Sequence, residues 1–442
     1  MIEKSITKDF FLIFIAIIFA AITSFFSIPI IFNNVGAEAY GYLNFIFLLY
    51  FSVTSMDGSR QVVIHMLKNK NEETLGILHS FNILIGIILL TILVLIGIIF
   101  DLNLSKFFFL MFSICIFVPT SALWGYLEYN DKVNFSNSSR NYLLSILYLV
   151  MIAISYFTSE SMFYISSIFL FSILLYLLFI YKSLRLGASI VNTDFLNHRI
   201  IIKEYINKAI PSYGFYVVVF FIASFDKLFI YNYLSLNDYG EYSSLRDLVV
   251  KSYVIFSIFR TVLYPVFIKS GLHNNNFKLL IYTVFSFAIL IATVSIILQG
   301  AYLPLLYDNP NYIVFTNSLL TIPLVSLGFI TIIGLNVDGN FNEQRNHYFF
   351  YLVLSVLIVF LYNRDFSVEF FSYIFLFSRF VDLHLLYTYS KKIGISFYWF
   401  LKIVLQILLF FLVNHFLDPI FLYPFIFIYG YVLLSTIKQI KI

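Results

Sequence analysis

Long apolar segments recur along almost the whole chain and constrain its fold more than any other feature. A helix needs about 20 mostly apolar residues to cross a hydrocarbon core roughly 30 Å thick. Fourteen windows approach or exceed that length: 10–32, 41–57, 75–99, 106–127, 141–158, 162–181, 209–232, 247–268, 279–300, 312–335, 347–362, 367–389, 397–416 and 419–437. The pattern predicts an all-α polytopic membrane protein.

Composition agrees with a membrane protein and argues against a metal or disulfide centre. The 442 residues are 61% hydrophobic and 11% charged, whereas soluble domains are about 45–50% apolar and about 25% charged. The single cysteine, Cys115, excludes an intrachain disulfide, and the seven histidines have no metal-ligand spacing. We therefore expect no metal and no cofactor.

The two ends of the chain leave the span count open. The first apolar window is too long for a signal-peptide core and has no small-residue cleavage site, so it predicts a retained helix. The last two windows are short and are separated only by residues 415–419. Fourteen spans, or a 12-span core ending near Tyr389 with a variable hairpin, are both consistent with the pattern.

Basic residues predict the orientation of the chain in the membrane. If the N-terminus is cytoplasmic, 19 of the 27 Lys and Arg residues fall in inner segments. Only Lys106, Arg246 and Arg364 fall in outer loops. Because Lys and Arg near span ends are retained on the cytoplasmic side, both termini are predicted to be cytoplasmic.

A polar connection divides the windows into two sets of six. Residues 190–208 (IVNTDFLNHRIIIKEYINK) predict a basic amphipathic helix on the inner membrane surface. The predicted divisions are an N-terminal lobe at 1–182, a cytoplasmic linker at 183–208, a C-terminal lobe at 209–390 and a terminal hairpin with its tail at 391–442.

A short motif recurs at the start of both lobes. Residues 38–42 read EAYGY and residues 238–242 read DYGEY, each at a predicted outer turn that enters the next helix. The equal span counts and the shared direction predict two parallel six-helix lobes, an arrangement that transporters use around a central cavity.

These motifs resemble the polysaccharide-transporter family of the multidrug/oligosaccharidyl-lipid/polysaccharide (MOP) exporter superfamily. The resemblance rests on Pro29, residues 36–41 (GAEAYG), Pro211, the dipeptide Asp226-Lys227 and residues 238–242. It implies a MATE-like fold and an O-antigen or capsule flippase that moves undecaprenyl-diphosphate-linked oligosaccharide to the periplasmic leaflet. A polymerase and a chain-length regulator of the same pathway would be partners. The 14 windows and residues 306–312 (LYDNPNY) depart from the family pattern.

A polar stripe on the eighth window is a candidate wall for the cargo cavity. Tyr253, Ser257, Arg260 and Tyr264 recur at helical spacing and so share one face. Arg260 could bind diphosphate oxygens in a bidentate manner, and the tyrosines could contact sugars. Snorkelling of Arg260 to the inner interface is the alternative.

The remaining buried charges have both functional and structural interpretations. Arg379 and Asp382 share a helical face, either as a structural ion pair or as a cargo or proton site. Lys227 could contact the cargo or reach the outer interface, and Arg60 could receive the diphosphate or only retain its loop inside. Asp226 and Asp382 are the candidates for ion coupling or gating.

Other function classes fit the sequence less well. The chain has no GxxxxGK[ST] phosphate loop, which argues against ATP hydrolysis within it. The short predicted outer loops argue against a membrane glycosyltransferase and against a polymerase or ligase. The sequence therefore predicts a transporter and not an enzyme, with no nucleic acid as partner. An ion-coupled multidrug or small-molecule exporter of the same superfamily is the main alternative.

Overall fold

The computed structural model describes the backbone at residues 2–55, 58–67, 73–99, 104–130, 132–270, 274–337, 341–362, 366–416 and 422–439. Within these ranges the chain is helical and contains no β-strand. The chain forms two compact units, Met1–Phe220 and Phe221–Ile442. The predicted all-helical class is confirmed.

The first unit contains seven complete helices and the first part of an eighth. They are α1 (Ile2–Val35), α2 (Ala37–Ser55), α3 (Gly58–Leu67), α4 (Glu73–Ile99), α5 (Leu104–Tyr129), α6 (Val133–Ser155), α7 (Ser161–Arg185) and α8 (Arg199–Tyr233). Helix α1 packs along α6, and α5 packs against both α4 and α7. Helices α3 and α5 approach closely, because a Cβ atom at Gly125 would lie 2.6 Å from the backbone oxygen of Arg60.

The second unit contains the end of α8 and eight further helices within the described residues. They are α9 (Leu236–Ser270), α10 (Asn274–Leu306), α11 (Tyr312–Val337), α12 (Phe341–Leu361), α13 (Val368–Ser378), α14 (Phe380–Lys392), α15 (Phe397–Phe416) and α16 (Tyr423–Gln439). Helix α11 is the central element, since 94% of its apolar window is buried and it packs against α9, α10, α13 and α14. The terminal helices pack onto the same unit, α15 against α14 and α16 against α10.

Each predicted apolar window falls on one of these helices or, for the twelfth, on the pair α13 and α14. Eleven helical segments among the described residues are long and apolar enough to span a membrane. Helices α2 and α9 are not among the eleven, and both include side chains outside the described set. The last apolar stretch, Pro424–Leu433, is shorter than a span. The chain therefore has the composition of a multi-pass membrane protein, and the choice between 12 and 14 spans stays a prediction.

The connection between the two halves differs from the predicted surface helix. Helix α7 ends at Arg185, and Gly187 takes a left-handed φ of 81° that stops it. Residues 186–198 are irregular apart from a short 3₁₀ turn at Phe195–Asn197. Residues 199–208 belong to α8, which continues unbroken to Tyr233. The four-part domain division stays a prediction.

The repeated Tyr-Gly motif has the same local structure in both units. Phe32 packs edge to face on Tyr40 at 5.6 Å, and Tyr231 packs in the same way on Tyr239 at 5.5 Å. Each ring pair is eight residues apart and lies where one helix ends and the next begins. The chain reverses through Gly36, at a φ of 83°, in the first case. The recurrence supports the predicted duplication.

Candidate functional site

Four adjacent charges pair between α8 and α9 in the second unit. Asp226 lies 2.7 Å from Nε of Arg246, and Lys227 donates to Asp247 at 2.6 and 2.7 Å. Asp226 also accepts a 2.5 Å hydrogen bond from the Tyr242 hydroxyl. Neighbouring residues on a helix point about 100° apart, so Asp226 and Lys227 take different partners on the facing helix.

The charges in this cluster balance one another. The side chains of Asp226, Lys227 and Arg246 are at most 4% exposed, and that of Asp247 is 17% exposed. Buried charges carry a large desolvation cost, which close pairing offsets. The cluster therefore couples α8 to α9, and the predicted roles of Asp226 in coupling and Lys227 in cargo binding are untested.

The basic-residue pattern predicted Arg246 in an outer loop, and the structure contradicts this. It lies ten residues inside α9 and is buried. The loop assignment is wrong because the predicted apolar window begins at residue 247, whereas helix α9 begins eleven residues earlier, at Leu236.

A second cationic group lies where α13 meets α14. The Cζ atoms of Arg246 and Arg379 lie 3.9 and 4.8 Å from the centroid of the Phe375 ring, within the range of cation–π attraction. Arg379 is only 8% exposed, and among the described residues none accepts a hydrogen bond from its Nε. Among the described residues the Arg379 guanidinium therefore has an aromatic neighbour and no carboxylate within ion-pair distance, although the Asp382 carboxylate is near enough to interact with it electrostatically.

Asp382 lies one turn beyond Arg379 and contacts two other helices. Its Oδ1 accepts a 2.8 Å hydrogen bond from the Tyr348 hydroxyl on α12, while its Oδ2 has no hydrogen-bond partner among the described residues. Only a glycine fits opposite on α11, because a Cβ atom at Gly328 would overlap the Asp382 carboxylate. The carboxylate is buried and has one unsatisfied oxygen.

The ion pair between Arg379 and Asp382, one of the two sequence-based interpretations, is absent from the described residues. The spacing suggested a continuous helix that would bring the two side chains together. Instead α13 ends at Ser378, Arg379 lies between the two helices, and α14 begins at Phe380. Both groups are left with unsatisfied buried atoms.

The predicted stripe on α9 is only partly described. Tyr253 is buried and its hydroxyl bonds that of Thr321 on α11. The side chains of Ser257, Arg260 and Tyr264 lie outside the described set, although the α9 backbone continues through them.

Arg60 belongs to a separate cluster in the first unit. Its Nε and one Nη donate to Glu128 at 2.7 and 2.8 Å, in a bidentate pair. Glu128 also accepts from Trp124 at 3.1 Å and from Asn137 at 2.7 Å. The Cζ atoms of Arg60 and Arg140 lie 4.2 and 4.8 Å from the centroid of the Trp124 ring.

The sequence identified about half of the residues that build these clusters. Asp226, Lys227, Tyr253, Arg379 and Asp382 lie in one unit, and Arg60 lies in the other. Sequence reasoning missed Arg246, Asp247, Phe375, Tyr348 and Glu128. One available signal was the pair of complementary dipeptides Asp226-Lys227 and Arg246-Asp247, which lie on two consecutive helices, α8 and α9.

Several known structures share this fold, whereas comparisons of sequence find no match. No protein-family model matches the chain, and no curated protein sequence matches it. The lipid II flippase MurJ in an inward closed conformation aligns at a TM-score of 0.67 with 16% identity, over 97% of this chain and 98% of that chain. A MATE protein in complex with MaL6 aligns at 0.66 with 13% identity, over 89% and 96%. A MOP superfamily transporter from Pyrococcus furiosus aligns at 0.61 with 14% identity, over 92% and 96%.

These likenesses extend over nearly the full length of both partners at very low identity, so they concern the fold. The all-helical arrangement in two units, the membrane-length helices and the three alignments agree with one another. The chain has the fold shared by the flippase MurJ and the MATE transporters of the MOP superfamily.

Proposed function

We propose that this protein is a flippase for polyprenyl-diphosphate-linked oligosaccharides, working by alternating access. The fold supports a transporter, and MurJ, named as a lipid II flippase, shares that fold. The resemblance of residues 36–41 and 238–242 to the polysaccharide-transporter family narrows the cargo to O-antigen or capsule repeat units. The proposed setting is a bacterial inner membrane with both termini cytoplasmic, beside the polymerase and chain-length regulator of the pathway.

The main support for this cargo is the buried Arg379 guanidinium, which has no carboxylate within ion-pair distance among the described residues. A buried cation without a carboxylate is costly unless another anion satisfies it. Guanidinium groups bind phosphate oxygens in a bidentate, charge-assisted geometry. Arg246 approaches the same Phe375 ring, but its charge is balanced by Asp226, so Arg379 is the cation of this pair that is left for an anionic cargo. An anionic cargo fits this environment better than a cationic drug.

Ion coupling is assigned first to Asp382 in this proposal. Its Oδ2 atom accepts no hydrogen bond from the part of the chain that the structure describes, so a proton or a small cation could bind that oxygen. Asp226 is the second candidate, and it would have to release Arg246 before it could exchange an ion.

The other predicted residues keep supporting roles in the proposal. Lys227, Tyr253, Ser257, Arg260 and Tyr264 would contribute to the wall of the cargo path, and Arg60 would act on the entry side. Arg60 already holds Glu128 in a bidentate pair. An incoming diphosphate would therefore have to compete with that carboxylate.

An ion-coupled drug exporter is the second candidate function. Its support is the same Asp382 carboxylate, because one buried carboxylate with a free oxygen is suited to binding a cation. MATE proteins with the same fold make this a direct alternative.

Leaflet exchange in proteoliposomes separates the two candidates. The first probe is a fluorescent polyprenyl-diphosphate-linked N-acetylglucosamine, whose outer-leaflet fraction is bleached by dithionite; the second is ethidium loaded under a pH gradient. The flippase proposal predicts that protein-containing vesicles lose more of the lipid fluorescence than empty vesicles and accumulate no ethidium. Ethidium transport without lipid exchange would reverse the assignment.

A further inference from the structure

Two histidines on neighbouring helices form a pair that the proposed transport function does not use. The ring centroids of His347 on α12 and His384 on α14 lie 4.5 Å apart at an interplanar angle of 69°. Both residues are half-buried, so one side of the pair remains accessible. The pair joins α12 to α14.

Neither imidazole is used in a hydrogen bond with the described part of the chain. His79 differs, because both of its ring nitrogens have a hydrogen-bond partner. Its Nδ1 lies 2.9 Å from the Ile190 carbonyl oxygen and its Nε2 lies 3.2 Å from the Tyr176 hydroxyl. A histidine that serves as a packing group is usually held in this way, because a buried ring nitrogen without a partner costs free energy. The ring nitrogens of His347 and His384 remain available for a ligand.

We propose that His347 and His384 form a two-histidine binding site for a divalent transition-metal ion such as Zn²⁺, Ni²⁺ or Cu²⁺. Neutral imidazole is a preferred ligand for these ions. Metal–nitrogen bonds of about 2.0–2.1 Å place two ligand nitrogens roughly 3 Å apart. Rings whose centroids are 4.5 Å apart meet that requirement with small side-chain rotations.

The surroundings set the character of this site. Among the described residues no group of three or more His, Cys, Asp or Glu side chains is arranged to hold a metal. The other coordination positions therefore belong to water, and the site is open and exchangeable. Glu343 lies one helical turn before His347 and near enough to interact with it electrostatically. This carboxylate favours a cation at the pair without being one of its direct ligands.

A bound ion would restrain the second unit near its candidate functional residues. It would tie α12 to α14, the helix that begins directly after Arg379 and carries Asp382. The Tyr348–Asp382 hydrogen bond already joins the same two helices. Metal binding is therefore expected to raise the thermal stability of the protein.

Calorimetric titration of the full chain in lipid nanodiscs, purified without a histidine tag, tests the site with Zn²⁺ as the probe. We expect one saturable site, and His347→Gln and His384→Gln should each weaken binding at least tenfold. His198→Gln, in the connection before α8, is the matched control and should bind as the unchanged protein does. Mg²⁺, which prefers oxygen ligands, should give no signal.

Cu²⁺ paramagnetic resonance supplies a second readout that a folding defect would not mimic. The unchanged protein should show hyperfine coupling to two imidazole nitrogens, and each single variant should show one. Absence of saturable Zn²⁺ binding, or two-nitrogen coupling that survives in both variants, would overturn the proposal. Neither readout depends on the cargo, so the flippase proposal is tested separately.

Discussion

At the scale of single residues, the stability of the second unit depends on how its buried charges are paired. The pairs Asp226–Arg246 and Lys227–Asp247 leave no net charge among four residues. A low-dielectric interior makes an unpaired charge costly. Removing one member of either pair would therefore destabilise the protein, mainly because the other member would stay buried without a compensating charge. Arg379 and Asp382 lie outside this balance, which is why they are the candidates for binding and coupling.

Replacing Arg246 by Met should destabilise the protein by about 3–5 kcal/mol, because Asp226 would remain buried without its cation. Adding Asp226→Asn to that variant should restore part of the lost stability, since the unpaired Asp226 carboxylate is then replaced by a neutral amide. The measurement is the free energy of unfolding in mixed micelles.

Lys208→Met is the matched control for this prediction. Lys208 pairs with Glu204 at 2.9 Å, but both side chains are more than one third exposed. Exposed pairs of this spacing contribute only about 0.3–0.5 kcal/mol. If Arg246→Met costs no more than Lys208→Met, the buried pair does not stabilise the unit.

Residue chemistry was predictable from the sequence only in part. Asp226 and Lys227 stand out because charges are rare within an apolar window. Their partners did not stand out, because Arg246 and Asp247 lie near the start of the next window and look like loop residues. Phe375 was hidden among 55 phenylalanines, which carry no individual signal.

At the scale of helices, close packing is set by glycines at particular positions. Gly125 on α5 lies against the backbone oxygen of Arg60, and Gly328 on α11 lies against the Asp382 carboxylate. Gly300 on α10 has no atom within 4 Å of where its Cβ would be. Gly125 and Gly328 are therefore needed for close packing, whereas Gly300 is not. Their sequence context does not show this difference.

Gly125→Ala should destabilise the protein by about 1–3 kcal/mol, the usual cost of inserting a methyl group into packed structure. The backbone of α3 must move to accommodate it, because the opposing atom is a carbonyl oxygen 2.6 Å away. Gly300→Ala should be neutral or stabilising, since Ala is favoured over Gly inside a helix. Both are measured as thermal unfolding midpoints in detergent, and equal midpoints would contradict the described packing of α3 on α5.

Helix positions were largely predictable, whereas helix breaks were not. Apolar windows mark the helices because bilayer thickness fixes their length. The division between α13 and α14 at Arg379 carries no proline or glycine to announce it. The predicted surface helix at 190–208 includes the irregular residues 190–198, because its basic residues Arg199, Lys203 and Lys208 all lie in the part that the structure places in α8.

At the scale of the whole molecule, the fold is observed and the cargo is proposed. The fold is that of MurJ and the MATE transporters. The apolar windows predicted two parallel helical lobes, and the MATE-like fold was expected from the family resemblance. The cargo is proposed from one buried guanidinium and a family resemblance. Cargo identity is difficult to derive from sequence because it depends on which charges remain unpaired after folding.

The most direct test of this account is the rate of leaflet exchange of the diphosphate-linked probe in variants of Arg379. Arg379→Gln should slow exchange at least tenfold, the loss expected when a charge-assisted contact worth about 1.5–3 kcal/mol is removed. Arg379→Lys should retain part of the rate, because it keeps the charge but not the bidentate geometry. Arg345→Gln, at a half-exposed arginine of the same unit, should match the unchanged protein. Exchange that proceeds equally well in Arg379→Gln would contradict the proposal that this guanidinium binds the cargo.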